Sequence, residues 1–91
     1  VANNLFVAYD LDKPGQNYAA VEKAINSLGT AVKVQMSLYY LKTTLSAAEA
    51  EKRIWASMDS NDRLIVIAAS AAYWHNALAP TNEVIDQQWN R

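Results

Sequence analysis

Asp10 and Asp12 close an apolar run, Leu5-Phe6-Val7-Ala8-Tyr9-Asp10-Leu11-Asp12, and their carboxylates are the first candidates for chemistry in this chain. Neighbouring carboxylates suit a hard cation such as Mg²⁺ or Mn²⁺, which takes one or two protein oxygens, keeps waters and completes its shell with a phosphate substrate. A cation held there would polarise the phosphate and activate water. Alternation along a strand puts Leu5, Val7, Tyr9 and Leu11 on one face and Phe6, Ala8 and Asp10 on the other. Asp10 therefore interrupts an apolar face, which is costly unless the charge is paired, solvated at the strand end or bound to a cation. The competing reading is that Asp12 begins the Lys13-Pro14-Gly15 turn and Asp10 bonds loop amides.

Other reactive residue types carry less. Ser37 falls on the polar face of a second strand, with no histidine or lysine spaced to activate it as a nucleophile. His75 is the single histidine; it can serve as a general base, but beside Tyr73 and Trp74 it equally suits packing or hydrogen bonding, and alone it makes no multi-histidine metal site. Tyr9, Tyr39, Tyr40 and Trp74, with Lys33 and Lys42 nearby in the pattern, can form a stacking surface for single-stranded bases. The alternative for these aromatics is core or interface. Lys52-Arg53 reads as a solvated pair on a helix.

Elements must hold these residues in place. After the first strand, Pro14-Gly15 fits a type II turn. Asn17 then caps a helix whose apolar positions Tyr18, Val21, Ala24, Ile25 and Leu28 recur at helical spacing, with Gly29 as its C′ glycine. Residues 32–44 alternate with period two, as one long bent strand or as a hairpin whose turn lacks Gly, Pro, Asn and Asp. Ser46-Ala47-Ala48-Glu49 is a capping box that opens a second helix buried through Ala47, Ala50, Ile54 and Met58. Asp59-Ser60-Asn61-Asp62 is a turn signal. Leu64 to Ala69 is apolar on both faces, which predicts a central strand covered on each side. Residues 71–79 read as a short helix or an edge strand, and Thr81 as the cap of a last amphipathic helix carrying Val84, Ile85 and Trp89.

The chain has 91 residues, 52% of them hydrophobic and 19% charged, with formal net charge −1 and no cysteine. That size predicts a single domain, residues 1–91, with a core over 4–70 and a C-terminal extension over 71–91. Disulfides and thiolate chemistry are excluded. The charge balance supplies no global attraction to nucleic acid or anionic membrane, so any such binding is local. No apolar run approaches membrane-spanning length, and no secretory pattern opens the chain, so a cytoplasmic location without membrane contact is expected. Two helices, each following a strand, predict an α+β split βαβ sandwich of ferredoxin-like form, both helices on one face of an antiparallel sheet. The other face then needs cover, and a twofold homodimer through it is the expected solution.

Val7-Ala8-Tyr9-Asp10, Ser27-Leu28-Gly29, Val34-Gln35-Met36-Ser37-Leu38-Tyr39, Thr44-Leu45-Ser46 and Asp62-Arg63-Leu64-Ile65-Val66-Ile67 together resemble the small CRISPR-associated adaptation protein that accompanies the spacer integrase. The architecture is shared by virulence-associated protein D and by SinR-like proteins of phage and mobile elements, and Lys13-Pro14-Gly15-Gln16-Asn17-Tyr18 is most similar to the last group. The resemblance covers roughly residues 5 to 69. It implies a homodimer with ferredoxin-like subunits and, in several relatives, a divalent-metal-dependent endonuclease acting on RNA or DNA, with the metal aspartate falling on Asp10 and the motif serine on Ser37. The chain departs from the adaptation proteins in lacking arginines after the first strand, and residues after 69 have no counterpart. Two functions are therefore expected to compete: a Mg²⁺-dependent phosphodiesterase using Asp10 and Ser37 with Asp12 as a second ligand, and a non-catalytic module that binds a protein partner through residues 71–91.

Overall fold

Alternating strand residues and two amphipathic helices build the chain around one antiparallel sheet. In the computed structural model, residues 2–12 and 18–91 are described. The elements run β1 (Asn3–Asp10), α1 (Tyr18–Asn26), β2 (Thr30–Gln35), β3 (Leu38–Thr43), α2 (Ala47–Trp55), β4 (Arg63–Ala68) and α3 (Thr81–Gln88). The strand order is β2-β3-β1-β4, with every neighbouring pair antiparallel. This α+β arrangement is compatible with the expected ferredoxin-like fold. The Pro14-Gly15 turn and the Asn17 cap lie outside the described residues.

The alternation read in β1 divides the core in two. Leu5, Val7, Tyr9 and Leu11 are buried on the first sheet face against Val21 and Ile25 of α1 and Ala50 and Ile54 of α2. On the second face Val32, Val34 and Tyr40 are buried with Ile85 of α3, and Phe6 and Trp89 pack beside them. The C-terminal segment thus covers part of the face that the sequence reading left wholly to a second subunit. The Trp89 ring lies 6.1 Å from that of Tyr40 and 6.5 Å from that of Phe6. At its backbone, the Trp89 carbonyl accepts from Asn4 Nδ2 at 2.9 Å and Lys42 Nζ at 3.1 Å.

Of the two alternatives for residues 32–44 the hairpin is formed, with Met36 and Ser37 between the strands and Ser37 at a φ of 61°. Several expectations are corrected. The strand Leu64–Ala69, expected at the centre, is the edge strand β4, paired only with β1; Ile65 and Ile67 are 56% and 49% exposed on the second face. Residues 71–79 form neither helix nor strand. Thr81 is the first residue of α3 and not its cap: the cap is Pro80, and the Thr81 hydroxyl is hydrogen-bonded to the Leu78 carbonyl instead. Gly29 is the third residue after the end of α1 and does not have left-handed φ. Its role is close approach, since a Cβ there would overlap the backbone carbonyl of Lys42. The Ser46–Glu49 capping box is formed as read, with Glu49 N to Ser46 Oγ at 3.1 Å and Ser46 N to Glu49 Oε1 at 3.2 Å.

Candidate functional site

Antiparallel pairing of β1 with β4 sets Asp10 directly opposite Arg63. The Arg63 guanidinium donates to Asp10 Oδ2 at 3.3 Å, and both side chains are largely exposed. The interruption of the apolar face is thus resolved by a charge partner and by water together. Among the described residues the carboxylate is engaged through Oδ2 alone, and its side chain is 68% exposed. A shallow pocket of about 240 Å³, lined by Ala8, Tyr9, Asp10, Arg63, Leu64 and Ile65, lies beside the pair.

Asp12 is also exposed, one residue past the buried Leu11. Its backbone amide donates to Asp62 Oδ1 at 2.8 Å, while Asp62 Oδ2 accepts from the Asp59 amide at 2.7 Å. The Asp62 carboxylate therefore ties the turn before β4 to the end of β1. Among the described residues no group of three or more His, Asp or Glu side chains gathers into a metal cage.

Ser37 lies at the same end of the sheet, though not on a strand face. Its carbonyl accepts from the Tyr9 amide at 3.2 Å, one residue before Asp10, so the hairpin turn is fastened to the mouth of β1. The left-handed backbone at Ser37 is of the kind that short polar side chains tolerate better than bulky ones. His75 lies elsewhere, exposed in the stretch between β4 and α3, where it lines a cavity of about 430 Å³ with Phe6, Leu38, Ile67 and Trp74. The structure does not bring it to Asp10.

Of the two readings of the aromatics, the core reading holds for the three strand tyrosines and the stacking surface does not form. Tyr9 and Tyr39 are buried on the first face and Tyr40 on the second, so no single surface presents them. The Tyr9 hydroxyl donates to Glu22 Oε2 at 2.9 Å, and Lys33 Nζ reaches the same oxygen at 3.2 Å. Burial, reinforced by Glu22, pushes the Tyr9 hydroxyl well above the usual tyrosine range, and burial also raises that of Tyr39. Both keep their protons, which removes them as general bases.

Arg63 is the member of the Asp10 pair that sequence reasoning missed. Its position just before the apolar run of β4 was visible, but its partner is 53 residues away and only strand pairing selects it. Among the described residues no helix is long and apolar enough to cross a membrane. Comparison with known proteins finds no family model that matches this chain and no curated protein that matches it.

Proposed function

We propose that the chain acts as a twofold homodimer joined through the second sheet face, and that its Asp10–Arg63 sites bind and cleave nucleic-acid phosphodiesters with Mg²⁺ or Mn²⁺. The observation that carries this reading is the pair itself: an exposed carboxylate and an exposed guanidinium 3.3 Å apart, at the end of an incompletely covered sheet face. An exposed carboxylate suits a hydrated cation, and a guanidinium suits a phosphate oxygen. The cation, when bound, supplies Lewis-acid polarisation and an activated water. For the chain's own part, Asp10 holds the charge, Arg63 orients the phosphate, and the Met36-Ser37 turn borders the site. The resemblance to the CRISPR-associated and virulence-associated proteins supports the same assignment.

Labelled RNA and DNA incubated with Mg²⁺ or Mn²⁺ test it. Cleavage by the unaltered chain is expected to fall at least about a hundredfold in Asp10→Ala, within the range over which charge-stabilising groups act. Equal activity in the two proteins removes Asp10 from the mechanism.

A second reading keeps the fold without the chemistry, as a protein-interaction module. Tyr73 favours it, because this side chain is 96% exposed on the segment between β4 and α3. A chain that cleaves neither RNA nor DNA with either cation, yet loses a protein partner on Tyr73→Ala, meets that description.

A further inference from the structure

The last turn of α3 and the segment that follows β4 enclose a pocket of about 330 Å³, lined by Ser70, Tyr73, Trp74, Asp86, Trp89 and Asn90 among others. We infer that it binds a compact organic cation, an alkylammonium small molecule held by the indole rings of Trp74 and Trp89 and by the Asp86 carboxylate. Neither Asp10 nor a second subunit takes part in it.

Helical spacing assembles one wall. Asp86 lies three residues before Trp89 and four before Asn90, so the three share one face of the helix. Trp89 keeps helical backbone angles as the C-cap, and its amide donates to the Ile85 carbonyl at 2.9 Å. The segment after β4 supplies the other wall, and it is fastened on both sides of the pocket. The Ala69 amide donates to the Asn4 carbonyl at 2.9 Å and the Leu78 amide to the Val34 carbonyl at 2.8 Å, while Trp74 Nε1 donates to Asn82 Oδ1 in the first turn of α3. Trp89 stacks on the buried Tyr40, and its carbonyl accepts from Asn4 and Lys42. The pocket is thus formed before any ligand arrives, as small-molecule sites usually are.

Charge and size select the ligand. An indole face attracts a cation through its ring quadrupole, and tryptophan does so best among the aromatic side chains. Trp74 and Trp89 are both only partly buried, so they keep surface for a ligand. Asp86 is exposed and, among the described residues, has no ion pair. Among the same residues no Lys, Arg or His lines the pocket. Lys42 and Arg91 are instead each bonded to a backbone carbonyl at this end of α3. The last turn of α3 carries no basic side chain, and the carbonyls of a helix C-terminus favour positive charge. A volume at the low end of the roughly 300–1,000 Å³ of ligand pockets admits only a compact molecule. The adjoining cavity of about 430 Å³ shares Tyr73, Trp74 and Ile85 but is lined by His75 and by no carboxylate, so a cation prefers the Asp86 side.

Choline is the probe, and neohexyl alcohol, which has the same shape without the charge, is its control. Each is titrated into the full chain while the indole N–H signals are followed in nitrogen-edited NMR spectra. Choline is expected to move the Trp74 and Trp89 signals and to bind at least about tenfold more tightly than the alcohol. Asp86→Asn changes an exposed side chain and keeps its shape; it is expected to weaken choline about tenfold and leave the alcohol unaffected. Indole signals that stay fixed at about 10 mM choline overturn the site. Equal affinity for choline and the alcohol, or choline bound as tightly by Asp86→Asn as by the unaltered chain, overturns the assignment of a cation.

Discussion

Tyr40 joins burial to polarity more tightly than its place in an alternating strand suggests. Its side chain has no exposed surface, and its hydroxyl donates to Asn4 Oδ1 at 2.6 Å. Burial pushes that hydroxyl up from 10.0 to about 12. Between those values the native chain keeps a proton that the unfolded chain has lost, so the stabilisation is complete below pH 10 and declines as pH rises towards 12. Tyr40→Phe is expected to cost about 1 kcal/mol at neutral pH, from the lost hydrogen bond. Urea unfolding from pH 9 to 12 should then decline less steeply in the variant; parallel curves would remove Tyr40 as a source of alkaline instability. Asp10 contrasts with it. An exposed ion pair contributes between about 0 and 1 kcal/mol, so replacing Asp10 tests chemistry with little disturbance of the fold. Its place at the strand mouth was legible from alternation alone, but its partner Arg63 was not.

Among the elements, α2 is the one whose boundaries were read most directly. The serine hydroxyl and the glutamate carboxylate satisfy each other's backbone amides within four residues of sequence, so no distant contact is needed to predict the start. Ser46→Ala is expected to destabilise the chain by about 1 kcal/mol, measured by chemical unfolding. The Ser46 amide also holds the Glu49 carboxyl below its usual range. Its contribution is present above the ordinary glutamate pKa and is lost as pH falls through the lowered one. The hairpin of β2 and β3 was harder to read. A two-residue turn leaves a period-two pattern in phase, so Val32, Val34, Leu38 and Tyr40 share the second face whether the chain runs straight or doubles back. The turn itself, Met36-Ser37, carries neither glycine nor asparagine to mark it. In β4 an apolar run suggested a central strand, yet order in a sheet follows from pairing partners, and β3 and β1 take the two inner positions.

For the whole molecule, the division of labour between the two sheet faces is the main consequence of folding. The first face is closed by α1 and α2, while the second is closed by α3 over β2 and β3 and left open over β4. If the proposed homodimer joins through this face, Ile65→Asp or Ile67→Asp abolishes self-association in sedimentation equilibrium. Because both side chains are about half exposed, either change should alter the unfolding midpoint little; a dimer that tolerates both charges would exclude the β4 face as the joint. The sequence by itself determined the strand alternation of β1, the capped second helix, the absence of thiol chemistry and an α+β architecture with two helices on one face. These are local or compositional properties, each set within a few residues or by residue counts. Only the tertiary structure decided that β4 is an edge, that Arg63 stands opposite Asp10, that three tyrosines are divided between two faces, and that the C-terminal aromatics cover the chain's own sheet. Those outcomes depend on which distant segments pair, and side-chain pattern alone constrains that choice only weakly.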